Sequence, residues 1–341
     1  MSEDPARETY RRRVLEALAR REPDRVPHHV GLTEPARRKL TEYLETEDLD
    51  GALGNHLAIY SLRRMAPEEL LGPGRFRDEF GVVWNRSVDP DIGVPENCVL
   101  KKPSLEGYAF PDPRDPRRYE RLSTFLASSR DRFRIATVGF ALFERAWSLR
   151  GMAEVLADML EAPAFVDELL DAIVAFDLGI LEELARHDFD AVLFGDDWGT
   201  QRGVIMGPKL WRRFLKPRLE VLFSAARRAG RTVFVHSCGK VQELFPDLIE
   251  IGLEVFNPLQ PEVMDPFEMK RRFGDRLCFY GGMSVQRILP RGTPAEVRDA
   301  ARRLRDELGR GGGYIASPSH DVPGDVPVEN VLAFVEALQE G

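Results

Sequence analysis

Residues 232–239, Thr-Val-Phe-Val-His-Ser-Cys-Gly, decide the fold, because a β-branched apolar run ends there in polar residues and a helical pattern follows at once. If residues 232–235 form a strand, positions two apart share a face, so the imidazole of His236 and the thiol of Cys238 point the same way from the strand end. His320 follows a later apolar run in a similar setting. The three side chains predict a metal site. Packing is the alternative for the His-x-Cys pair, since an isolated cysteine is usually an inert small hydrophobe.

Apolar runs alternate with helical stretches from residue 134 onward, which predicts a parallel sheet covered by helices. An earlier strand is predicted at residues 26–31, and one more is expected in the first third of the chain. Polar and glycine-bearing residues follow the strands one after another, which favours a single distorted (β/α)8 TIM barrel over a doubly wound sheet. Residues 1–25 are then an N-terminal helical extension and residues 26–341 the barrel. The later strands are predicted at residues 135–138, 191–194, 232–235, 254–256, 277–280 and 314–316.

The composition limits the classes of function. The 341 residues are 43% hydrophobic, and 48 Lys+Arg stand against 56 Asp+Glu, a formal charge of -8. Because an acidic chain with scattered arginines has no general attraction for a polyanion, we do not expect nucleic-acid binding. No apolar run is long enough to span a bilayer, no signal peptide is recognisable, and the cysteines number three. These features predict a cytoplasmic protein without disulfides.

Polar residues at the strand ends would line the mouth of such a barrel, where active sites of this fold lie. Asp196 and Asp197 are adjacent, so at most one faces the mouth, and we favour Asp197 as the catalytic carboxylate with the other capping a turn. Glu144 is the second catalytic candidate, although an ordinary ion pair with Arg150 on one helix is the alternative. His56 is expected to be solvated. The expected substrate contacts are His29, Trp198, Gln201, Asn257 and Gln260; core packing is the alternative for the tryptophan and turn formation for the asparagine.

Several stretches resemble the uroporphyrinogen decarboxylase superfamily, which also holds the cobalamin-dependent methyltransferases that methylate coenzyme M and similar thiols. The resemblance extends over nearly the whole chain and implies the barrel fold. Its strongest parts are VFVHSCGKVQELFPDLIEIGLEVFNPLQ (233–260), CFYGGMS (278–284) and GGGYIASPSHDVPGDVPVENVLAFVEAL (311–338). Others are PDRVP (23–27), DEFGVVW (78–84), FERAWSLRG (143–151) and GDDWGTQRG (195–203).

The two branches of that superfamily imply different sites. Decarboxylases carry an Arg-Gln-Ala-Gly-Arg segment after the first strand that grips tetrapyrrole carboxylates, whereas residues 28–33 of this chain are His-His-Val-Gly-Leu-Thr. The methyltransferase branch binds zinc through His-x-Cys and a later Cys. His236 and Cys238 match, but His320 occupies the later Cys position, which leaves a more Lewis-acidic site. Because the decarboxylase branch also has a histidine near this point, a metal-free substrate contact is the alternative for His320, and a structural role is the third option.

The resemblance therefore implies a zinc-dependent methyltransferase. His236, Cys238 and His320 would hold Zn2+, the open position would take a thiol or similar acceptor, and the methyl group would arrive from a methylcobamide on a corrinoid protein. The alternatives are a cofactor-independent decarboxylase or other lyase, with Asp197 as the acid–base group, and a tetrapyrrole- or corrinoid-binding protein without catalysis. An arginine cluster facing the mouth would favour decarboxylation. The resemblance also admits a homodimer.

Overall fold

The computed structural model describes residues 7–87 and 92–340. Residues 1–6 of the predicted N-terminal extension lie outside that part, and the boundary at residue 25 stays a prediction. The α-helices are α1 (Arg7–Leu18), α2 (Glu34–Leu44), α3 (Leu49–Ala52), α4 (Leu62–Met65), α5 (Leu122–Ser128), α6 (Phe143–Arg150), α7 (Met152–Glu161), α8 (Pro163–Leu184), α9 (Gly207–Phe214), α10 (Lys216–Arg228), α11 (Phe245–Glu250), α12 (Pro266–Phe273), α13 (Ile288–Arg291), α14 (Pro294–Leu308) and α15 (Val328–Gln339).

Eleven strands form two sheets in the described residues. They are β1 (Leu57–Ser61), β2 (Glu68–Gly72), β3 (Arg75–Asp78), β4 (Val83–Asn85), β5 (Val94–Pro95), β6 (Phe133–Gly139), β7 (Ala191–Gly195), β8 (Thr232–His236), β9 (Val255–Leu259), β10 (Cys278–Met283) and β11 (Tyr314–Pro318). The main sheet has seven parallel strands in the order β1-β6-β7-β8-β9-β10-β11. A strand is present at each of the six positions predicted from residue 134 onward.

The sheet is curled, and side chains alternate between its two faces. Phe234 of β8 belongs to a buried cluster with Phe133, Ala191 and Val255 of other strands, whereas its neighbours Val233 and Val235 pack into the larger core beneath the helices. Because positions two apart share a face, the residues that follow Phe234 at spacings of two point to the inner face as well.

The first predicted strand, residues 26–31, is wrong. The seventh strand of the main sheet is β1 instead, and in place of an eighth strand an extended segment lies between β11 and the start of β1. Pro27 O accepts a hydrogen bond from Ala316 N (2.8 Å), and His28 O accepts one from His56 N (2.9 Å). Pro27 has no N–H to donate. The His28 and Val30 N–H groups donate to side chains, His56 Nδ1 at 3.3 Å and Asn55 Oδ1 at 2.8 Å, so no regular ladder forms.

Helix α1 lies at the end of the sheet where the strands begin. Its Val14 is completely buried with Leu57, Phe133 and Ala191, which stand at or near the starts of their strands. The Gly313 N–H also donates to Ala17 O (2.7 Å), which holds α1 against the start of β11. The opposite, C-terminal ends of the strands therefore remain free to build a site.

The first third of the chain contains a small antiparallel sheet, β2-β3-β4-β5, that the sequence patterns did not predict. Asp78 connects it to the barrel: one carboxylate oxygen accepts from the Phe80 and Val82 N–H groups, and the other accepts from Trp84 Nε1 and from Arg145 of α6, both at 3.0 Å. This sheet therefore sits beside the C-terminal ends of β1 and β6. None of the helices in residues 7–87 and 92–340 is both long and apolar enough to cross a membrane.

Candidate metal centre and barrel mouth

The three predicted metal ligands come together at the C-terminal ends of β8 and β11. One potential ligand atom from each of His236, Cys238 and His320 lies within 4.8 Å of the others. Cys238 Sγ is 3.5 Å from His236 Nε2, and the two imidazole centroids are 5.9 Å apart. The inward direction of Phe234 is thus continued by His236 and Cys238, as the period of two requires.

The orientation of His236 is fixed by its neighbour strand. His236 Nδ1 donates to Asn257 Oδ1 at 2.6 Å, and the Asn257 amide nitrogen in turn donates to Tyr280 O at 3.1 Å. Since this second bond fixes which end of the amide faces the imidazole, Nδ1 carries the proton and Nε2 presents its lone pair toward Cys238. An outer partner of this kind is typical of metal-bound histidines.

The donor set fits zinc. Two imidazoles and one thiol are ligands that Zn2+ prefers, and a tetrahedral ion at ordinary bond lengths separates its ligand atoms by about 3.3–3.8 Å, the spacing already present between Cys238 Sγ and His236 Nε2. Burial raises the pKa of the Cys238 thiol, while the hydrogen bond with His320 opposes that shift and raises the pKa of His320. A bound cation would compete with the proton for both groups.

The adjacent carboxylates Asp196 and Asp197 face different surroundings. Asp196 is fully buried and accepts hydrogen bonds from Phe143 N (3.0 Å), Glu144 N (2.7 Å) and Trp198 Nε1 (2.5 Å), so it caps α6. Burial raises its pKa to about 6. Asp197 is partly exposed, accepts from Cys238 N at 2.8 Å, and stands 3.8 Å from His236 Nε2. Its catalytic role stays a prediction.

Glu144 begins α6 next to this group. Its pKa is raised well above the usual range by burial and by the nearby charges of Asp197 and Asp196. The alternative of an ordinary ion pair with Arg150 is wrong, because Arg150 Nε donates to Asp158 at 2.8 Å instead. Glu144 is therefore a half-buried carboxyl group with high proton affinity, close to the candidate ligands.

A cavity of about 850 Å³ opens over the inner face of the sheet, and His236 and His320 line it. His29 lines it as well, with its Nδ1 2.7 Å from the Tyr280 hydroxyl, while His28 turns away and its Nε2 donates to Leu53 O (2.9 Å). A volume of this size accommodates a small-molecule ligand.

Residues 111–341, more than half of the chain, match the family model described as uroporphyrinogen decarboxylase (URO-D). The chain belongs to the uroporphyrinogen decarboxylase family. The uroporphyrinogen decarboxylase of Coxiella burnetii is 24% identical over 96% of this chain and 94% of its own.

Methyltransferases are also among the relatives of this uroporphyrinogen decarboxylase family member. A methylcobamide:CoM methyltransferase of Methanosarcina barkeri is 29% identical over 136 residues, which are 40% of this chain and 38% of the relative. A solved methyltransferase from Methanosarcina mazei superposes with a TM-score of 0.74 at 18% identity and covers 97% of this chain and 98% of its own. That likeness establishes the shared fold. The family's members named here are enzymes.

The remaining predicted contacts of this family member divide between the mouth and the core. Gln201, Gln260 and Cys238 line a second opening of about 550 Å³, and Gln260 Oε1 accepts from Gly239 N at 3.1 Å. Trp198, in contrast, is fully buried and packs edge-on against Trp211 with centroids 5.4 Å apart. The predicted substrate contact of Trp198 is therefore wrong for this structure, because its indole is enclosed in the core and its N–H is engaged by Asp196.

Two further features of the mouth were not predicted from the sequence. Asn257 was predicted to contact substrate, which stays a prediction. Its hydrogen bond to His236 was not predicted. Arginines also line the mouth, although none was predicted there: Arg37, Arg63, Arg64 and Arg121. Two of them directly follow β1, the strand whose position was not predicted, so an apolar run 57–60 ahead of Ser-Leu-Arg-Arg was the pattern that would have located them.

Proposed function

We propose that the protein is a zinc-dependent methyltransferase that transfers a methyl group from a methylated corrinoid, carried by a partner protein, to a thiol or a similar acceptor. The observation that carries the proposal is the convergence of His236, Cys238 and His320 beside a large cavity, with His236 oriented by Asn257. The similarity to a methylcobamide:CoM methyltransferase supports the same reaction class.

His236 Nε2, Cys238 Sγ and one ring nitrogen of His320 would hold the ion, whose chemical contribution is to lower the pKa of an acceptor thiol at the open position. The methylated corrinoid would supply the methyl group and keep the electron pair of its Co–C bond, and the acceptor sulfur would supply the electron pair of the new S–C bond. Glu144, with its raised pKa, binds a proton more tightly than an exposed carboxylate. It is therefore suited to take the proton that the thiol loses.

Asp197 and the cavity walls would position the reactants. The carboxylate of Asp197 accepts from the Cys238 N–H and so fixes the loop that carries the thiol. His29 and Asn257 lie on the cavity wall, and Gln201 and Gln260 line the second opening, where they would contact the acceptor or the corrinoid. We propose a cytoplasmic location, which suits the three free thiols of Cys98, Cys238 and Cys278.

Metal content tests the proposal. Protein purified without chelator should contain about one equivalent of zinc, and Cys238→Ala should lose it. Cys98→Ser is the matched control, because the Cys98 thiol is not among the candidate ligands and donates to backbone carbonyls, among them Arg150 O at 3.0 Å. The zinc-loaded wild type should consume methylcobalamin absorbance in the presence of a thiol under anaerobic conditions. Equal and substoichiometric metal in all three proteins would refute the site.

A second candidate is a decarboxylase acting on a carboxylated ligand. It is favoured by the arginines in the mouth and by similarity to decarboxylases over nearly the whole chain. The cavity wall carries four arginines against the carboxylates of Asp50 and Asp321. This excess suits a ligand with one or two negative charges better than an octa-anionic tetrapyrrole. We therefore expect no useful turnover of uroporphyrinogen, and coproporphyrinogen formation at enzyme-like rates would reverse the ranking.

A further inference from the structure

Arg63 stands where three cavities meet. It lines the mouth of about 850 Å³, a side cavity of about 270 Å³ beneath the small antiparallel sheet, and an internal void of about 20 Å³. It alone among the described residues lines all three. A ligand that reaches from the metal ligands into the side cavity would therefore pass its guanidinium group.

The side chain of Arg63 is held against the end of β6. A Cβ placed on Gly139 would lie 3.6 Å from Arg63 Cδ, and the guanidinium carbon is 5.1 Å from the centroid of the Phe140 ring. Packing of the aliphatic stem and the cation–π contact together orient the charged end without neutralising it.

Neighbouring charges are paired, but that of Arg63 is not. Around the side cavity, Arg145 pairs with Asp78 at 3.0 Å and Arg86 pairs with Glu68 at 3.4 Å. The carboxylate of Glu79 is taken by Arg118, and Arg64 stands 3.8 Å from Asp321. Within residues 7–87 and 92–340, neither Arg63 nor Arg37 has a carboxylate within ion-pairing distance.

The unpaired charge is also partly withdrawn from water. Burial and the nearby charges of Arg145 and Arg64 lower the pKa of Arg63 to about 10, with Glu144 acting in the opposite sense. At neutral pH the group is still charged. A half-buried, oriented guanidinium without a partner carries an uncompensated desolvation cost, which a bound anion offsets through paired hydrogen bonds.

We infer that Arg63, with Arg37 beside it, binds an anionic group, a carboxylate or a sulfonate, on the small molecule whose other end reaches the metal ligands. That this molecule is a methyl acceptor rests on the proposed function; the anion site itself does not. Arg37 lines both the mouth and the side cavity, as Arg63 and Arg64 do, and of these three arginines Arg64 shares its charge with Asp321.

Two sets of binding measurements test the inference. In the first, metal-stripped wild type is titrated calorimetrically with propionate, ethanesulfonate and, as the neutral probe, 1-propanol. We expect both anions to bind at least about tenfold more tightly than the alcohol, and Arg63→Gln to remove that difference, because a charge-assisted pair is worth this much or more. If one anion binds more tightly than the other, the site prefers the charged group of that anion, a carboxylate or a sulfonate.

The second set uses zinc-loaded protein with 3-mercaptopropionate, 2-mercaptoethanesulfonate and the neutral 2-mercaptoethanol. Arg63→Gln should weaken the two anionic thiols at least about tenfold and change the neutral thiol less than about twofold. Arg117→Gln is the matched control; its guanidinium is exposed, pairs with Asp115 at 2.6 Å and lines neither the mouth nor the side cavity, so the loss should stay below about twofold. Arg63→Lys, which keeps the charge but not the planar fork, should give an intermediate loss.

The outcomes are separable. Anion binding to the metal-stripped protein that depends on Arg63, without methyl transfer in the loaded protein, would refute the proposed reaction and leave the anion site standing. Wild type that binds propionate and 1-propanol equally, or Arg63→Gln that retains the preference, overturns the inference. Thermal melting of each variant checks folding. If Arg63→Gln is unfolded, Arg63→Lys and Arg37→Gln replace it, and an unchanged preference for anions over 1-propanol in both of them counts against the site.

Discussion

The residues at the C-terminal ends of β8 and β1 bring different kinds of group to one cavity: candidate metal ligands after β8 and positively charged arginines after β1. After β8, His236 and Cys238 are half-buried, hydrogen-bonded and directed at each other. After β1, Arg63 and Arg64 bring positive charge, and one of them lacks a carboxylate partner within the described residues. We propose that the β8 end holds a cation or reacts, and that the β1 end receives an anion. A ligand that spans both would be fixed at its reactive end and at its charged end.

The two strands also differ in how they are anchored. The turn after β8 packs directly against the turn after β7, backbone to backbone. Strand β1 is instead preceded by His56, whose ring packs edge-on against Tyr10 and His28, each with centroids 4.8 Å apart. His56 was expected to be solvated and is in fact buried, because the segment 27–29 and α1 cover it.

The largest effect is expected from Gly239→Ala at the β8 end. Gly239 has φ +87°, and an added Cβ would lie 2.4 Å from the Gly199 carbonyl carbon. Backbone strain and overpacking should together cost about 3 kcal/mol of unfolding free energy and displace Cys238, with loss of zinc. Chemical denaturation and metal analysis measure both. Gly230→Ala is the control, since Gly230 has φ +72° but no atom within 4 Å, and it should cost about 1 kcal/mol with zinc retained.

The β1 end should respond to acid. Burial lowers the pKa of His28 to about 4 and that of His56 to about 2. Because the unfolded chain binds protons on these groups below about pH 6.5 while the folded chain does not, stability falls as pH drops from 7 to 5, by about 2 kcal/mol for His28 alone. The charges of Arg13 and Arg25 act in the same direction.

His56→Phe isolates this contribution. The variant keeps an aromatic ring between Tyr10 and His28 but removes one titrating group. Its unfolding free energy should therefore depend less steeply on pH between 7 and 5 than that of the wild type. An equal slope in the two proteins would show that His56 is not held neutral by burial.

These two strands also show what sequence patterns predict and what they miss. The strands after residue 134 were predictable because β-branched runs alternate regularly with helices, and a period of two then places His236 and Cys238 on one face. Strand β1 was not predicted, although it is as long as β7 and β8, because it lies between the four-residue helices α3 and α4 and the regular alternation with longer helices is missing there. The segment 26–31 has strand-like composition, but side chains of Asn55 and His56 occupy hydrogen-bonding positions that a ladder needs.

Long-range register accounts for the missing parts of the site. The bond between Asn257 and His236 arises because β8 and β9 pair with those two residues opposite each other, which no local pattern encodes. The same holds for the placing of Arg63 over Gly139. Residue types at a strand end were thus predictable, whereas partners across strands were not.

A smaller effect on metal affinity is expected from Asn257→Leu. Without the amide oxygen, His236 Nδ1 loses its acceptor and the imidazole its fixed orientation, so zinc affinity should fall at least about tenfold. Competition with a chelator measures the affinity. Asn257→Asp, which retains an acceptor oxygen, is the control and should bind zinc as tightly as the wild type or more so. Equal affinities in the leucine and aspartate variants would contradict the assigned role.

The smallest effect concerns His320, the point at which the chain departs from the methyltransferase motif. A site with one thiolate makes the metal more Lewis acidic than a site with two, so a bound thiol loses its proton readily but attacks methylcobalamin slowly. Nucleophilicity rises about threefold for each pKa unit of thiolate basicity. His320→Cys should therefore retain zinc and raise methyl transfer to a simple thiol about threefold, measured by loss of methylcobalamin absorbance with metal content in parallel. Loss of both zinc and activity in this variant would mean that His320 has a role no thiolate replaces, most simply a hydrogen bond to substrate, and would favour the decarboxylase alternative.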